Sequence, residues 1–358
     1  MYVVIMAGGV GTRFWPVSRE RAPKQFLNIV SDRSLIEETY GRVAPIVKEE
    51  NIFIVVNEIY RKIVDMIFKN RHVQILTEPY SRNTAPCIGL AAVHIKIKSR
   101  NETLAALPAD HFITHDKAFQ KILLAGAKAV EKEGICTIGI TPTYPETGYG
   151  YIKRGIEYKL VDGHKVYKVD RFVEKPDIKD ASVYIKSGEY LWNSGIFIFN
   201  VNTILEEIKH HLPSLHEGLK KIERAIGSNS YPKILRKVYE NLDSISIDQG
   251  IMEKTRGHIY MLPGNFDWSD VGSWKALYDL RKGDYDPMGN LIDGEALPLD
   301  TKNSLIYSHT KRLIATLGLK DILIVDTKDA LLVADIKRSQ EVRRVIEHLK
   351  KNSKKKWL

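Results

Sequence analysis

Apolar positions over the first 140 residues fall into two alternating rhythms. Short runs rich in Val, Ile and Leu at Val3–Met6, Ile52–Val56, Val73–Leu76, Thr103–Leu107 and Cys136–Ile140 are bounded by polar residues and predict strands. Between them, Leu35–Val47, Ile59–Asn70, Thr84–Lys98 and Ala118–Glu133 predict helices; in the last, Ile122, Ala125, Ala129 and Val130 recur at helical spacing near one face. This alternation predicts an α/β fold built on a doubly wound parallel sheet. Such sheets bind ligands at the C-terminal ends of their strands.

The rhythm changes after Gly148. Tyr149–Arg154, Lys165–Phe172 and Ile196–Phe199 predict strands of a partly antiparallel insertion, followed by helices at Val201–His211 and Lys233–Leu242. A further helix starts near Gly272 and ends near Lys282. The turn-forming stretch Gly283–Asn290 marks a boundary, dividing a large domain at 1–285 from a small one at 286–358. In the small one, Leu305–Tyr307, Leu313–Thr316, Ile322–Val325 and Leu331–Ala334 begin eight or nine residues apart, the spacing of short strands in a solenoid or a meander. A basic amphipathic helix, Ser339–Lys350, closes this domain, and the lysine-rich stretch to Lys356 reads as a solvated, frayed end.

Charge narrows the ligand class. The net charge of +10, from 54 Lys+Arg against 44 Asp+Glu, favours anionic ligands such as phosphates and nucleotides. Five of the lysines lie in the stretch Lys350–Lys356, and no aromatic-rich basic segment accompanies them, so nucleic acid is not the expected partner. No segment approaches the ~20 apolar residues of a membrane span, and the apolar start lacks a basic region before it and reads as a strand, not a signal peptide. The two cysteines, Cys87 and Cys136, form neither a disulfide framework nor a zinc pattern, which fits a cytoplasmic protein.

The first strand runs into Met6-Ala7-Gly8-Gly9-Val10-Gly11-Thr12-Arg13-Phe14-Trp15-Pro16. Three glycines in four positions allow close backbone approach, and the N–H groups of such a loop make an anion-binding nest. Arg13 adds a fork suited to phosphate oxygens, and Lys24, in Pro23-Lys24-Gln25-Phe26, adds a second cation. The loop is neither the dinucleotide fingerprint, since Phe14 stands where its last glycine belongs, nor a Walker A loop, since no Gly-Lys-Ser/Thr follows. By itself it reads equally well as a tight strand-to-helix turn.

Together, Gly8–Pro16 and Pro23–Phe26 resemble the signature of sugar-1-phosphate nucleotidyltransferases, and the Phe-Trp-Pro and Pro-Lys-Gln-Phe spellings resemble the mannose-1-phosphate guanylyltransferase branch. Further segments match in order: Arg82-Asn83-Thr84-Ala85-Pro86, Leu107-Pro108-Ala109-Asp110-His111, Glu146–Tyr151, Phe172-Val173-Glu174-Lys175-Pro176, Trp192-Asn193-Ser194-Gly195 and Phe266–Trp274. The resemblance covers essentially the whole chain. It implies a Rossmann-like, doubly wound mixed sheet of the GT-A-like kind with a small C-terminal β-rich domain, a candidate left-handed β-helix that is also a candidate homodimer contact.

The resemblance also implies roles. Gly8, Gly9, Gly11, Thr12, Arg13, Lys24, Asn83, Ala85, Pro108 and Asp110 would bind GTP. Gly148, Tyr149, Glu174, Lys175 and Asn193 would bind mannose 1-phosphate. Asp110 and Asp270 would hold Mg²⁺, and Arg13, Lys24, Asp110 and Asp270 would be catalytic. The residues alone leave alternatives: Asn83 or Thr84 could cap the following helix, Asp110 could form a turn, and Asp267 rivals Asp270. The implied reaction is in-line attack of the sugar phosphate on the α-phosphorus of GTP, which yields GDP-mannose and pyrophosphate without a protein nucleophile. The alternatives are another base or sugar 1-phosphate, and a non-catalytic regulatory subunit of the same fold. A glycosyltransferase is disfavoured because the only Asp-x-Asp, Asp284-Tyr285-Asp286, reads as a loop, and His111 and His115 lack a metalloprotease pattern.

Overall fold

The computed structural model describes every residue except Val10, Arg100 and Arg256, so Val10 of the glycine loop lies outside the described residues. By internal contacts the chain forms two compact units. Met1–Gly8, Thr39–Ala109 and Ile113–Trp268 make the first; Gly9–Glu38, Asp110–Phe112 and Ser269–Leu358 make the second.

The first unit is built on one sheet of nine strands: β1 (Tyr2–Met6), β2 (Ile52–Asn57), β3 (Gln74–Glu78), β4 (Thr103–Pro108), β5 (Ile135–Ile140), β6 (Tyr151–Val161), β7 (His164–Val173), β8 (Tyr190–Asn200) and β9 (Ile259–Gly264). The spatial order is β3-β2-β1-β4-β8-β5-β9-β7-β6. The first four strands are mutually parallel, as their Val- and Ile-rich runs predict. The predicted helices form as α1 (Leu35–Val43), α2 (Arg61–Ile67), α3 (Thr84–Lys98) and α4 (Asp116–Ala129). Among them α3 is apolar almost all round and buries Ala85 through Val93, as a helix sunk in the core must.

One expectation is corrected. Ile196–Phe199 belongs to no insertion: β8 lies in the middle of the sheet, antiparallel to β4 on one side and to β5 on the other. Ile196, Phe197, Ile198 and Phe199 are all buried, so both faces of the strand need cover, which a central position supplies. A short apolar run does not reveal which neighbours it will have. Further elements escaped the sequence reading, among them α5 (Ile178–Ser187), and between α6 (Val201–His211) and α8 (Tyr231–Glu240) lies α7 (Pro213–Ala225). In α7 the stripe Leu215, Leu219 and Ile222 is interleaved with Glu217, Lys220, Lys221, Glu223 and Arg224, which hide it. Strand β9 went unread because Pro263 and Gly264 end it.

The second unit holds α9 (Trp274–Leu280), six short strands, and α10 (Val342–Lys351). The strands are β10 (Leu291–Asp293), β11 (Ala296–Leu299), β12 (Leu305–Ser308), β13 (Ile314–Leu317), β14 (Ile322–Asp326) and β15 (Leu331–Asp335). Pairing is parallel for β10-β12-β14 and for β11-β13, with β15 antiparallel on β14. Leu305 faces Leu323 and Ala296 faces Ile314, in both cases eighteen residues on, so each turn of chain stacks on the next. A meander would pair neighbours antiparallel; the solenoid reading is the correct one. Leu291, Leu305, Tyr307, Leu323 and Val325 form the core of this unit together with Phe14, Trp15, Trp274 and Ile346.

The frayed-end reading also needs correction. Residues 350–356 are exposed, as a solvated stretch should be, but the end is not frayed: Lys355–Trp357 closes a short helical turn, and Trp357 and Leu358 are partly buried. Asp284-Tyr285-Asp286 is a turn, as expected: the Asp286 carboxylate accepts from the backbone N–H of Met288 and of Asn290.

Asn290 ties this turn to the solenoid. Its amide donates to Asp286 Oδ2 (3.0 Å) and to the carbonyl of Thr301 (2.8 Å), and its oxygen accepts from Ser304 N (3.1 Å), all within a buried site. Asn290→Ala would leave buried partners unpaired and is expected to destabilise the chain by roughly 2–4 kcal/mol. Urea unfolding measures this; a loss below about 0.5 kcal/mol would contradict the accounting.

Candidate active site

Within the second unit, the glycine loop ends in a short helical turn, Thr12–Phe14, preceded by Gly11 in the left-handed region (φ 50°). A Cβ on Gly11 would lie 2.6 Å from Lys24 Cβ and 2.9 Å from Lys24 N, so only glycine lets the loop pass this close to Lys24. Gln25 Nε2 donates to the carbonyl of Gly9 (2.8 Å) and pins the other end. Phe14 and Trp15, the spelling that sets this loop apart, are buried anchors: Phe14 packs edge-on against Trp274, whose indole N–H donates to the Trp15 carbonyl (3.3 Å). Arg13 stays exposed.

Lys24 is the centre of this half. Its ammonium donates to the Asp110 carbonyl (2.9 Å), the Asp110 carboxylate (2.9 Å) and the Asp270 carbonyl (2.5 Å). Three acceptors match the three hydrogens of an ammonium. The Lys24 side chain is 5% exposed while that of Asp110 is 38% exposed, so the pair presents its carboxylate outward and keeps its cation inside. Burial acts to raise the Asp110 carboxyl, but the charge of Lys24, then His111, the Lys24 hydrogen bond and Arg13 outweigh it and hold the group below the ordinary carboxylate range. Asp110 therefore stays an anion at neutral pH. Asp267, the rival of Asp270, lies in the first unit, where its exposed carboxylate is 3.2 Å from His115.

In the first unit, the strand ends gather polar groups around Gly8. Ser81 Oγ donates to the Gly8 carbonyl (3.4 Å) and accepts from Asn57 Nδ2 (3.1 Å). Pro108, at the end of β4, pairs in register with Met6, and the N–H of Ala109 donates to the Met6 carbonyl (3.1 Å). At the start of α3, Asn83 adopts a positive φ of 69° and caps the helix by accepting from Thr84 N (2.9 Å). Thr84 Oγ1 accepts from Ile247 N (2.8 Å), and Ala85 N donates to the Ile245 carbonyl (3.2 Å). These groups hold the turn's shape from within.

The sugar-side candidates also share the first unit. Gly148 N donates to Glu146 Oε1 (2.8 Å), and Tyr149 stacks edge-on between Trp192 and Trp268. Glu174 is largely buried and pairs with the exposed Lys175, whose backbone has a positive φ of 48°. A Cβ on Gly150 would come within 2.6 Å of Glu174 Oε2 and 3.3 Å of Asn193 Cβ, so glycine there brings the two side chains onto one wall. Asn193 accepts from Thr137 Oγ1 (3.1 Å) and Gly195 N (3.2 Å) and donates to Asp248 Oδ1 (2.9 Å), which fixes its amide in one orientation.

Asp248 and Glu78 were missed in the sequence. Burial first, then the charge of Glu174, pushes the Asp248 carboxyl up to about 6, against its backbone hydrogen bond, Lys175 and Asn193. Glu78, at the end of β3, is buried at 2% exposure, accepts from Tyr239 OH (3.1 Å), and has Oε2 3.2 Å from where a Cβ on Gly8 would stand. Burial raises it to about 7, with the Tyr239 hydrogen bond opposing. A charged residue ending an otherwise apolar strand is the one sequence signal that could have marked Glu78; Asp248 has none.

Against known proteins, the chain matches the family described as Nucleotidyl transferase over residues 2–286 and the MannoseP isomerase/GMP-like beta-helix domain over residues 294–349. It is 39% identical over 351 residues to the xanthan biosynthesis protein XanB of Xanthomonas campestris pv. campestris, covering 97% of this chain and 73% of that protein. It is 38% identical over 360 residues to the mannose-1-phosphate guanylyltransferase of Salmonella muenchen, covering 98% and 74%. The crystal structure of a Thermus thermophilus protein described as mannose-1-phosphate geranyltransferase superposes with a TM-score of 0.86 at 36% identity, covering 98% of this chain and 99% of that one. No helix among the described residues is long and apolar enough to cross a membrane.

Glu78 supplies a test of the buried strand end. Its folded pKa of about 7 lies above the ordinary 4.5, so its protonated form stabilises the fold below pH 4.5 and that stability is lost as pH rises through about 7. Glu78→Gln lacks this titration. Its stability relative to the parent should therefore rise between pH 5 and pH 8, by on the order of 3 kcal/mol. Thermal unfolding at the two pH values measures the difference; a pH-independent gap would overturn the assignment.

Proposed function

The chain belongs to the nucleotidyl transferase family, on its mannose-1-phosphate guanylyltransferase branch, and we propose that it transfers GMP from GTP to α-D-mannose 1-phosphate, releasing pyrophosphate. The observation that carries this reading is the junction of Lys24 with Asp110 and Asp270 beside the glycine loop. It supports phosphoryl-transfer chemistry because it sets an ionised, outward-facing carboxylate and a buried cation next to a loop able to nest phosphate oxygens.

Asp110 and Asp270 suit Mg²⁺. Two hard carboxylates leave the remaining positions to phosphate oxygens and water, as that ion prefers. When bound, Mg²⁺ neutralises phosphate charge and helps align the reacting groups.

The rest falls to the chain. A phosphate oxygen of the sugar phosphate is already anionic, so no side chain need act as nucleophile; the bond formed joins it to the α-phosphorus of GTP, and the bond broken releases pyrophosphate opposite. Catalysis is then positioning and charge compensation. Loop N–H groups and Arg13 take up charge on the leaving pyrophosphate. Lys24, with its three hydrogens already engaged, acts through its charge and by keeping Asp110 ionised. Lys175 holds the sugar phosphate. Glu174 accepts from a sugar hydroxyl, and Asn193 offers its remaining amide hydrogen to another.

Pyrophosphate release, measured over a matrix of nucleoside triphosphates and hexose 1-phosphates with and without Mg²⁺, tests the reading. Release is expected with GTP, mannose 1-phosphate and metal together; stronger release with another pair would keep the mechanism and overturn the substrates. No release with any pair, from a folded chain that binds nucleotide, would favour a regulatory subunit.

Asp270→Asn should lower kcat at least ~100-fold while the melting temperature stays within a few degrees. Lys24→Ala is the less informative variant, since it also unties Asp110. Turnover by Asp270→Asn near the parent rate would remove Asp270 from the machinery.

A further inference from the structure

The nucleotide loop is held from a direction that its own motif does not announce. Trp15 Nε1 donates to the backbone carbonyl of Trp357 (2.8 Å), and Arg19 Nη1 donates to the same oxygen. A carbonyl has two lone pairs, and both are engaged by the segment that leaves the loop. Arg19 does more: its Nε donates to the Pro16 carbonyl (2.8 Å), its Nη2 to Asp329 (2.9 Å), and its guanidinium stacks over the Trp15 ring at 5.5 Å. Trp357 is itself located by its indole N–H, which donates to the Asp329 carbonyl (3.2 Å). Nearby, Lys350 pairs with Glu20 at 2.7 Å. All these residues belong to the second unit.

We propose that Trp357 is a positioning residue for the nucleotide-phosphate loop, its backbone carbonyl latching Trp15 and Arg19 so that the loop's N–H groups are pre-set for a triphosphate. The inference rests on the GTP reading above. Its physical basis is that a glycine-rich loop loses more conformational freedom than other segments when ligand binding orders it. Holding the loop beforehand moves that cost from binding to folding. One side of the loop is held by Lys24 packed against Gly11; the latch holds the other through Trp15, three residues beyond Thr12. The charge-assisted bond from Arg19 and the stacking of Arg19 on Trp15 make the two donors act as one grip.

The experiment is calorimetric titration of GTP with MgCl₂ into the full chain, into a chain ending at Ser353, into Arg19→Ala, into the combination of both changes, and into Trp357→Phe. The chain ending at Ser353 should bind GTP about 10-fold more weakly, a change of about 1.4 kcal/mol. Arg19→Ala should lose a similar amount. The combination should lose little more than either alone, because both act through one contact. Trp357→Phe keeps the backbone carbonyl and an aromatic ring but loses the indole N–H to Asp329, and should weaken GTP binding clearly less than the truncation does. Mannose 1-phosphate KM in the pyrophosphate assay should stay within twofold throughout, which a general loss of structure would not spare.

The proposal is overturned if the shortened chain binds GTP like the full one. It is overturned equally if Arg19→Ala and the truncation add independently, or if mannose 1-phosphate KM and melting temperature deteriorate in step with GTP affinity. Failure of the full chain to bind GTP would instead overturn the substrate reading and this inference with it.

Discussion

The ammonium of Lys24 is the constraint on which the second unit's chemistry depends. Its acceptors lie 86 and 246 residues along the chain, and no other group named at this site reaches both aspartate segments. A buried cation without partners would lose its proton or unfold its surroundings. Here each hydrogen meets an oxygen, and two of the three acceptors are backbone carbonyls, which cannot titrate away. The result is a positive centre that holds one carboxylate ionised and two chain segments in register. Gly11 is the corollary, since any side chain there would strike the lysine.

The opposite logic governs two buried carboxyls of the first unit. Asp248 and Glu78 are raised, because burial works against their charge and outweighs every group that opposes it. Asp248 faces Glu174 and takes an amide hydrogen from Asn193, so its proton and the orientation of Asn193 are linked. One chain thus carries two kinds of carboxylate environment: Asp110, held ionised by a buried lysine, and a buried network in which burial outweighs the groups that oppose it.

Much of this was legible in the sequence, and what was not has identifiable causes. Helix α3 was read to the residue, because a helix apolar on all sides between a capping Asn83 and terminal lysines has few alternatives. Parallel strands β1, β2 and β4 were plain as Val- and Ile-rich runs. The seat of β8 was not, because the alternation that would have marked an exposed face is absent from a strand covered on both sides. The glycine loop and its cations could be named from residue types; Asp248 could not, since an isolated Asp acquires meaning only from the Asn193 and Glu174 that folding brings to it. The Lys350–Lys356 stretch misled for a related reason. Its charges are solvated, and what docks is the backbone of the tryptophan beyond them.

Phe14 and Trp15 are buried in a core whose other members include Trp274, Tyr307 and Ile346. That arrangement sets an order of events during synthesis. A nascent chain that has emerged only as far as Trp268 can pair the strands of the first sheet, yet it lacks Trp274, Leu277, Tyr307 and the solenoid residues that make up most of the core around the two aromatic residues of its glycine loop. The loop is made well before the segments that complete its core. Until the solenoid has followed it out of the ribosome, the chain carries an incompletely covered Phe-Trp pair, the kind of surface that chaperones hold and that aggregation exploits.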